Sequence, residues 1–319
     1  MQMFIEGTSF DAANAMSFTY VIDFLTVSGT GSKTYNTSGF DLSVVGMNST
    51  LAPTNTQSTI DASISGTTLT WNTDVPLRLV VTATARQGAN SGYSGFALYT
   101  YPNNQRTIKL APDFTPFVLS AVINIEPGAR TVDTGVAVGD GVIIFMRNRN
   151  NQGGACSRSH FTLLETGTYK MQFTAAANYQ FPTRAYVFSR KLPPTPKNGF
   201  YLYKDGVMVW HSNCLPLDAK FINQSYVESD YPLAVTTGIT NFIYIPQDPT
   251  VPEYGFQNYG CSGAGIGTNG KWRTNNTEVY QSFLGNVGIP LPKGWVVGTR
   301  VMYIECSNYD NYYTYSLGS

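Results

Sequence analysis

The stretch Phe200-Tyr-Leu-Tyr-Lys-Asp-Gly-Val-Met-Val-Trp210 decides the fold class of this 319-residue chain. Two runs rich in aromatic and aliphatic residues flank the dipeptide Asp205-Gly206, and such residues favour the pleated, half-buried surface of a strand. Asp-Gly accepts the positive φ angles of a type I′ turn, which matches the twist of two antiparallel strands. The segment is therefore predicted to be a β-hairpin.

Strand signals continue on both sides of the hairpin. Tyr169 to Thr174 alternates apolar and polar residues, so every second side chain would face a core. Further strand-like segments are Leu77–Thr84, Phe117–Ile125, Phe242–Ile245 and Trp295–Ile304. Only Ser9 to Ala15 is predicted to form a short helical turn. We expect an all-β fold of two or three β-sandwich-like modules in series, with antiparallel sheets.

A repeat divides the chain. Gly95-Phe-Ala-Leu-Tyr99 and Gly199-Phe-Tyr-Leu-Tyr203 share Gly-Phe-x-Leu-Tyr, separated by 104 positions, and each is followed by a turn, an extended run and a proline. Chance similarity is the alternative, since Gly, Phe and Tyr are abundant; the repeated order favours duplication. The proline-rich segment Leu192–Asn198 predicts a stiff linker. The predicted modules are 1–90 (N-terminal, attachment), 91–194 (β-sandwich) and 195–319 (a second, related β-sandwich).

Composition excludes several classes of partner. Charged residues make up 13% of the chain, with 20 basic and 20 acidic side chains, and no cluster of Lys or Arg suits a run of phosphates. We therefore expect no nucleic-acid partner. No window reaches the 18 or so apolar residues of a spanning helix, and the N-terminus has no signal-peptide pattern. We expect no membrane insertion and synthesis in the cytosol.

The four cysteines are far apart and lack metal-ligand spacing, so we expect no metal site. They are predicted to be small buried apolar side chains. The sequence allows a disulfide between Cys261 and Cys306 but does not determine whether it forms.

Residues that could support catalysis are sparse. Cys156 and His160 are close in sequence but lie in a Gly/Asn-rich segment without an orienting third group. Glu228 and Asp230 lie two positions apart near tyrosines, which is conceivable for a glycosidase pair, although a solvated loop is the simpler interpretation. His211 is expected at a sheet edge or on the surface. We predict no catalytic residues, no cofactor and no enzymatic activity.

Aromatic density is highest at the C-terminus, in Tyr309-Asp-Asn-Tyr-Tyr-Thr-Tyr-Ser316. Tyrosine combines a large apolar face with a hydrogen-bonding tip, which suits interfaces and sugar stacking. The alternative is a closing strand whose alternate tyrosines pack inward. The candidate interaction residues are Trp272, Tyr309, Tyr312, Tyr313 and Tyr315.

One longer pattern carries a resemblance. Arg184–Ser189, the proline linker, Gly199–Ser212 and Leu215-Pro-Leu217 together resemble tail-tip and tail-fibre-associated proteins of tailed bacteriophages. The resemblance covers about residues 91–319, and the first repeat departs from it because Tyr101-Pro-Asn-Asn104 replaces the Asp-Gly turn.

The resemblance implies a structural virion component at the distal end of the tail. Such a protein would dock on other tail proteins (the central fibre and tail hub), would be present in several copies, and would carry no catalytic residues. Contact with a receptor or glycan of the host surface is a further expectation. A carbohydrate-binding, adhesin-like protein is one alternative, and a surface-polysaccharide hydrolase that uses Glu228 or Asp230 is another.

Overall fold

The computed structural model describes residues 2–37, 39–47, 60–88, 95–129, 131–149, 161–173, 182–223, 226–236, 239–246, 255–267, 269–283, 295–296 and 301–318. Its helices are α1 (Ala12–Ala15) and α2 (Ser307–Leu317). Its strands are β1 (Tyr20–Thr34), β2 (Phe40–Met47), β3 (Ile60–Ser65), β4 (Thr68–Ala85), β5 (Leu98–Thr100), β6 (Thr107–Leu110), β7 (Val118–Ile125), β8 (Thr131–Ala137), β9 (Val142–Asn148), β10 (Phe161–Thr166), β11 (Thr168–Phe173), β12 (Thr183–Ser189), β13 (Tyr201–Lys204), β14 (Val207–His211), β15 (Lys220–Phe221), β16 (Glu228–Ser229), β17 (Leu233–Thr236), β18 (Ile239–Pro246), β19 (Gly255–Ile266), β20 (Trp272–Phe283), β21 (Trp295–Val296) and β22 (Met302–Glu305).

A six-stranded antiparallel sheet, in the order β15-β22-β17-β9-β12-β7, forms the central layer. Every residue of β9 is buried. A strand can bury consecutive side chains only when both faces of its sheet are covered, and the apolar run Val142–Met146 suits that position.

One face of this sheet is covered by a three-stranded sheet, β10-β11-β8. Ile144 and Met146 of the central sheet share a buried cluster with Phe161, Leu163 and Met171 of the smaller sheet. The two sheets therefore form a β-sandwich.

The other face is covered by α2, the N-terminal segment and part of a long-stranded sheet. In that sheet β4 lies between β1 on one side and β2 and β3 on the other. Phe145 and Phe188 of the central sheet share a buried cluster with Ile5, Val80 and Tyr309. A further antiparallel sheet has the order β16-β20-β19-β18-β21.

The all-β prediction is confirmed, with antiparallel sheets and sandwich-like packing. The predicted hairpin is confirmed as β13 and β14, and its turn residues Asp205 and Gly206 have φ angles of 51° and 79°. The short helical turn predicted within Ser9–Ala15 is confirmed as α1.

The alternative of a closing strand at the C-terminus is wrong, because Ser307–Leu317 is helical. Cys306, Tyr309 and Ser316 are buried, and this spacing places their side chains on one side of a helix. Gly318 ends the helix with a φ of 69°, the left-handed conformation that glycine adopts without strain.

The three-module division stays a prediction, but the central sheet crosses its boundary at residue 194. The strands β7, β9 and β12 precede that residue, whereas β15, β17 and β22 follow it. Val235 of β17 pairs directly with Met146 of β9, so backbone hydrogen bonds join the two segments in one layer.

Among the described residues, no helix is both long and apolar enough to cross a membrane.

Candidate docking surface

Both copies of the Gly-Phe-x-Leu-Tyr repeat begin a two-stranded antiparallel sheet. In the first copy, β5 pairs with β6. Asn103 and Asn104, with φ angles of 50° and 61°, lie in the connection. In the second copy, β13 pairs with β14 through Asp205-Gly206. Asparagine and aspartate tolerate the left-handed region better than other non-glycine residues, so different turn residues give similar hairpins.

The two hairpins meet each other. The rings of Phe96 and Phe200, the second residue of each repeat, stack with centroids 5.9 Å apart. Lys204 of the second hairpin lies 2.6 Å from the carboxylate of Asp113, just after the first hairpin. The hairpins therefore form one unit.

The segments that follow the hairpins also pair with each other. The backbone N–H of Leu119 donates to the carbonyl of Leu215 (2.9 Å), and that of Leu217 donates to the carbonyl of Phe117 (2.8 Å). These bonds flank an antiparallel bridge between Val118 and Pro216. Pro216 thus lies at a junction between the segments that follow the two hairpins, whereas Pro116 forms its bridge with Tyr20 of β1.

The underside of the hairpin unit is buried and fixes its position. Trp210 is 1% exposed and contacts Phe18, with ring centroids 5.7 Å apart. Leu110 and Leu202 lie in the same buried cluster as Trp210. Core packing of this kind holds the hairpins rigidly.

Four large apolar side chains of the hairpin unit are exposed to solvent, and we call them the hairpin surface. Its members and their exposed fractions are Phe96 (55%), Tyr101 (64%), Tyr203 (52%) and Val207 (66%). Exposed aromatic side chains on a rigid support are typical anchors of protein interfaces.

A small pocket borders this surface. Its volume is about 120 Å³, and the residues around it include Pro116, Val118, Leu192, Met208 and Arg190. Met208 is the cross-strand neighbour of Tyr203. The pocket therefore lies beside Tyr203, and Thr115, Ser189 and Arg190 make part of its lining polar.

The predicted interaction residues of the C-terminus are mostly used inside the molecule. Tyr309 is fully buried, and Trp272 is 8% exposed. Tyr312 is half-buried and stacks on Phe10 with centroids 4.1 Å apart, and Tyr313, also half-buried, lies beside the guanidinium of Arg184 at 5.2 Å. Tyr315 is exposed. These five residues do not form one exposed surface in this fold.

A partly buried charge network lies between α2 and the central sheet. Arg147 donates from Nη2 to Oδ2 of Asp310 (3.0 Å) and from Nε to the hydroxyl of Tyr186 (2.9 Å). The Tyr186 hydroxyl donates to Oδ1 of Asp310 (2.7 Å). Burial raises the pKa of Tyr186, so its hydroxyl stays protonated. The Arg147 guanidinium also faces the ring of Trp272 at 5.0 Å. The network attaches α2 to the central sheet.

A buried histidine and cysteine lie beside the linker. His211 ends β14 in a two-stranded sheet, as expected of a residue at a sheet edge, but its side chain is fully buried and does not lie on the surface. Its Nε2 lies 3.0 Å from the carbonyl oxygen of Pro193. If Nε2 donates there, Nδ1 is left to accept from the thiol of Cys214 at 3.6 Å. Burial lowers the pKa of His211 and raises that of Cys214, so both groups are neutral. The pair is structural and holds the linker against β14.

The remaining cysteines bear on the disulfide. Cys306 is a free buried thiol, and burial raises its pKa to about 12. A disulfide between Cys261 and Cys306 is therefore absent. Burial of Cys214 and Cys306 confirms the prediction for those two residues. Cys156 and His160 lie outside the described residues, and the same holds for the side chain of Cys261.

Glu228 and Asp230 both lie on the surface. Glu228 accepts a hydrogen bond from Asn269 (3.3 Å), and Asp230 lies 3.4 Å from the ammonium of Lys271. In the part of the chain that the structure describes, no group of three or more His, Cys, Asp or Glu side chains is arranged to hold a metal ion.

Sequence reasoning singled out the repeat but not the exposed side chains that it presents. A signal was present in the second copy, where a residue that faces the core is followed by one that faces outward. In the second copy Leu202 is buried and Tyr203 is exposed.

A search of family models found no match for the chain, and searches of curated proteins and of solved structures found none either.

Proposed function

We propose that this chain is a structural component of the tail tip or tail fibre of a tailed bacteriophage and that it works by binding. It docks on other tail proteins, such as the central fibre or the tail hub, through the hairpin surface. The residues that carry the resemblance to that family, Gly199–Ser212, form the hairpin that presents Tyr203 and Val207. That observation is the main support for the proposal.

The physical basis is a rigid apolar anchor. Association costs the free energy needed to order side chains and loops at the interface. In the hairpin surface that cost is small, because the strands are already fixed from below by Trp210 and Leu202. Large apolar side chains on such a support can contribute most of the binding free energy.

The proposal places the chain in the virion tail, where it is present in several copies and has no enzymatic activity. The low charge content supports this role, because contacts through aromatic and small polar side chains need no charged partner. Contact with the host surface belongs to the same proposal.

The test is incorporation into tail particles. We expect the full-length chain, gold-labelled on virions in electron micrographs, to mark the distal end of the tail. A double variant, Tyr203→Ser with Val207→Ser, should lose incorporation at least tenfold, because it removes two anchors of the hairpin surface. The matched control is Tyr231→Ser, which changes an aromatic residue that is 58% exposed outside the repeat.

Two results would overturn the proposal. One is a chain that does not sediment with tail particles at all. The other is equal incorporation of the double variant and the parent, with both folded as judged by circular dichroism.

A further inference from the structure

A regular array of short polar side chains lies on one face of the long-stranded sheet. There, β3, β4 and β1 run side by side, and residues in register form three rows, Asp61–Asn72–Thr30, Ser63–Thr70–Ser32 and Ser65–Thr68–Thr34. Residues directly opposite each other on neighbouring strands share a face, and so do residues two positions apart. We call these nine side chains the polar grid.

The polar grid faces solvent and is supported from behind. Eight of its side chains are exposed, and Thr68 is partly exposed. The intervening residues on the opposite face include Ala62 and Leu69, which are fully buried. Trp71 packs its indole directly against Gly31, where a Cβ atom would collide with the ring. The array therefore lies on strands that are held in place by a core.

Hydrogen bonds across the strands orient the side chains of the grid. The hydroxyl of Thr30 donates to Oδ1 of Asn72 (2.9 Å). Hydroxyl pairs link Ser63 with Thr70 (3.2 Å) and Thr34 with Thr68 (3.1 Å). One bond thus lies in each row, so the grid is partly ordered before any ligand arrives, and ordering it on binding costs little entropy.

The chemistry of the grid selects among classes of ligand. Among the nine side chains only Asp61 carries a charge, so the grid offers no cation to a phosphate backbone or an anionic membrane. The grid also has no large apolar side chain, which a protein partner would use as an anchor. What remains is a closely spaced set of hydroxyl and amide groups that both donate and accept hydrogen bonds. That set complements a ligand made of uncharged hydroxyl groups.

The dimensions suit an extended chain. Three strands about 4.8 Å apart span about 10 Å, and five residues along a strand span about 13 Å. A short stretch of a linear polysaccharide can lie across such an area and meet a row of hydroxyl groups at each strand.

We propose that the polar grid binds a neutral polysaccharide. This deepens the proposed function by naming the chemical class of the host-surface ligand, and it rests on that function only for the source of the polysaccharide. Each protein–sugar hydrogen bond replaces bonds to water, so one grid binds weakly. Several copies in one tail would multiply the apparent affinity by about 10² to 10⁴ if their grids can engage together.

The test is native gel electrophoresis of the full chain through gels that contain dextran, mannan or laminarin, which are neutral, or alginate, which is acidic. We expect at least one neutral polysaccharide to retard the chain and alginate not to. Thr70→Arg places a long charged side chain at the centre of the grid and should raise the dissociation constant at least tenfold. Thr131→Arg, at an exposed position of β8, adds the same charge away from the grid and should leave binding unchanged.

Three results would overturn the inference. The first is no retardation by any of the neutral polysaccharides, and the second is equal retardation of Thr70→Arg and the parent. The third is that the Thr70→Arg substitution dissociates oligomers of the chain, as measured by size-exclusion chromatography. That result would assign the grid to contacts between copies. Both variants should keep the urea midpoint of the parent, so a loss of binding is not a loss of folding. The assay needs no tail particle, so its failure leaves the docking proposal standing.

Discussion

Replacing Asp310 by Asn tests whether the charge network holds the C-terminal helix to the central sheet. The carboxylate of Asp310 accepts from Arg147 at 3.0 Å and from Tyr186 at 2.7 Å, and it lies 3.2 Å from the guanidinium of Arg184. The exposed fractions of the Arg147, Arg184 and Asp310 side chains are 8%, 17% and 19%. The variant leaves two arginines partly buried without an anion.

The expected cost follows from that burial. Removing one partner of a buried ion pair costs about 3–5 kcal/mol, and the lower end applies because Asn keeps one acceptor oxygen. With an m value of about 3 kcal/mol/M in urea, a loss of about 3 kcal/mol lowers the unfolding midpoint by about 1 M. Urea titration followed by tryptophan fluorescence measures this change.

Asp41→Asn is the matched control, because it removes a carboxylate that pairs with Arg86 at 2.6 Å on the surface, where the two side chains are 67% and 57% exposed. Exposed pairs contribute at most about 1 kcal/mol, so its midpoint should shift by less than about 0.3 M. Equal shifts for Asp310→Asn and Asp41→Asn would refute the idea that burial makes the Asp310 network strong.

Three further outcomes are expected. Burial raises the pKa of Asp218 above its ordinary value of 3.8, and one of its carboxylate oxygens has no hydrogen-bond partner among the described residues. The ionised form therefore weakens folding above that pKa, and Asp218→Asn should raise the urea midpoint at pH 7 but not at pH 3. Burial lowers the pKa of His211 from 6.5, so on acidification the unfolded chain takes up a proton that the folded chain does not. Stability should therefore fall as the pH drops below about 6.5. In thermal melts at a series of pH values, His211→Gln should remove this contribution of His211 to the pH dependence of stability. Gly199→Ala should destabilise the second hairpin, because a Cβ at that position collides with the hydroxyl of Ser212. Amide hydrogen exchange at Leu202 should then become faster. Unchanged exchange would show that the glycine of the repeat has no packing role.

The hairpin was predictable because its signals are local. Asp205-Gly206 selects the turn, and the residues on either side favour strands whatever surrounds them. The exposed anchors Tyr203 and Val207 were harder to predict, because local pattern shows which residues alternate but not which face meets the core. That choice depends on Phe18, which lies nearly two hundred positions away and packs on Trp210.

The C-terminal helix shows why composition misleads. Tyr, Asn and Thr are weak helix formers, so the segment around Tyr309 suggested a strand. The helix forms because Tyr309 enters the core of the central sheet, where its hydroxyl donates to the carbonyl of Pro216 (2.9 Å) and accepts from the N–H of Asp218 (2.9 Å). Tertiary contacts of this kind override weak local preference.

By itself the amino-acid sequence determined the fold class, the Asp-Gly hairpin and the absence of any cationic cluster, since each depends on residue type and on spacing within a few positions. The tertiary structure alone decided that strands on both sides of residue 194 join one sheet, that most of the C-terminal tyrosines pack inward, and that Ser, Thr and Asn side chains from β1, β3 and β4 line up in rows. Strand pairing and burial bring together residues distant along the chain, and no local pattern encodes which distant partner a strand meets.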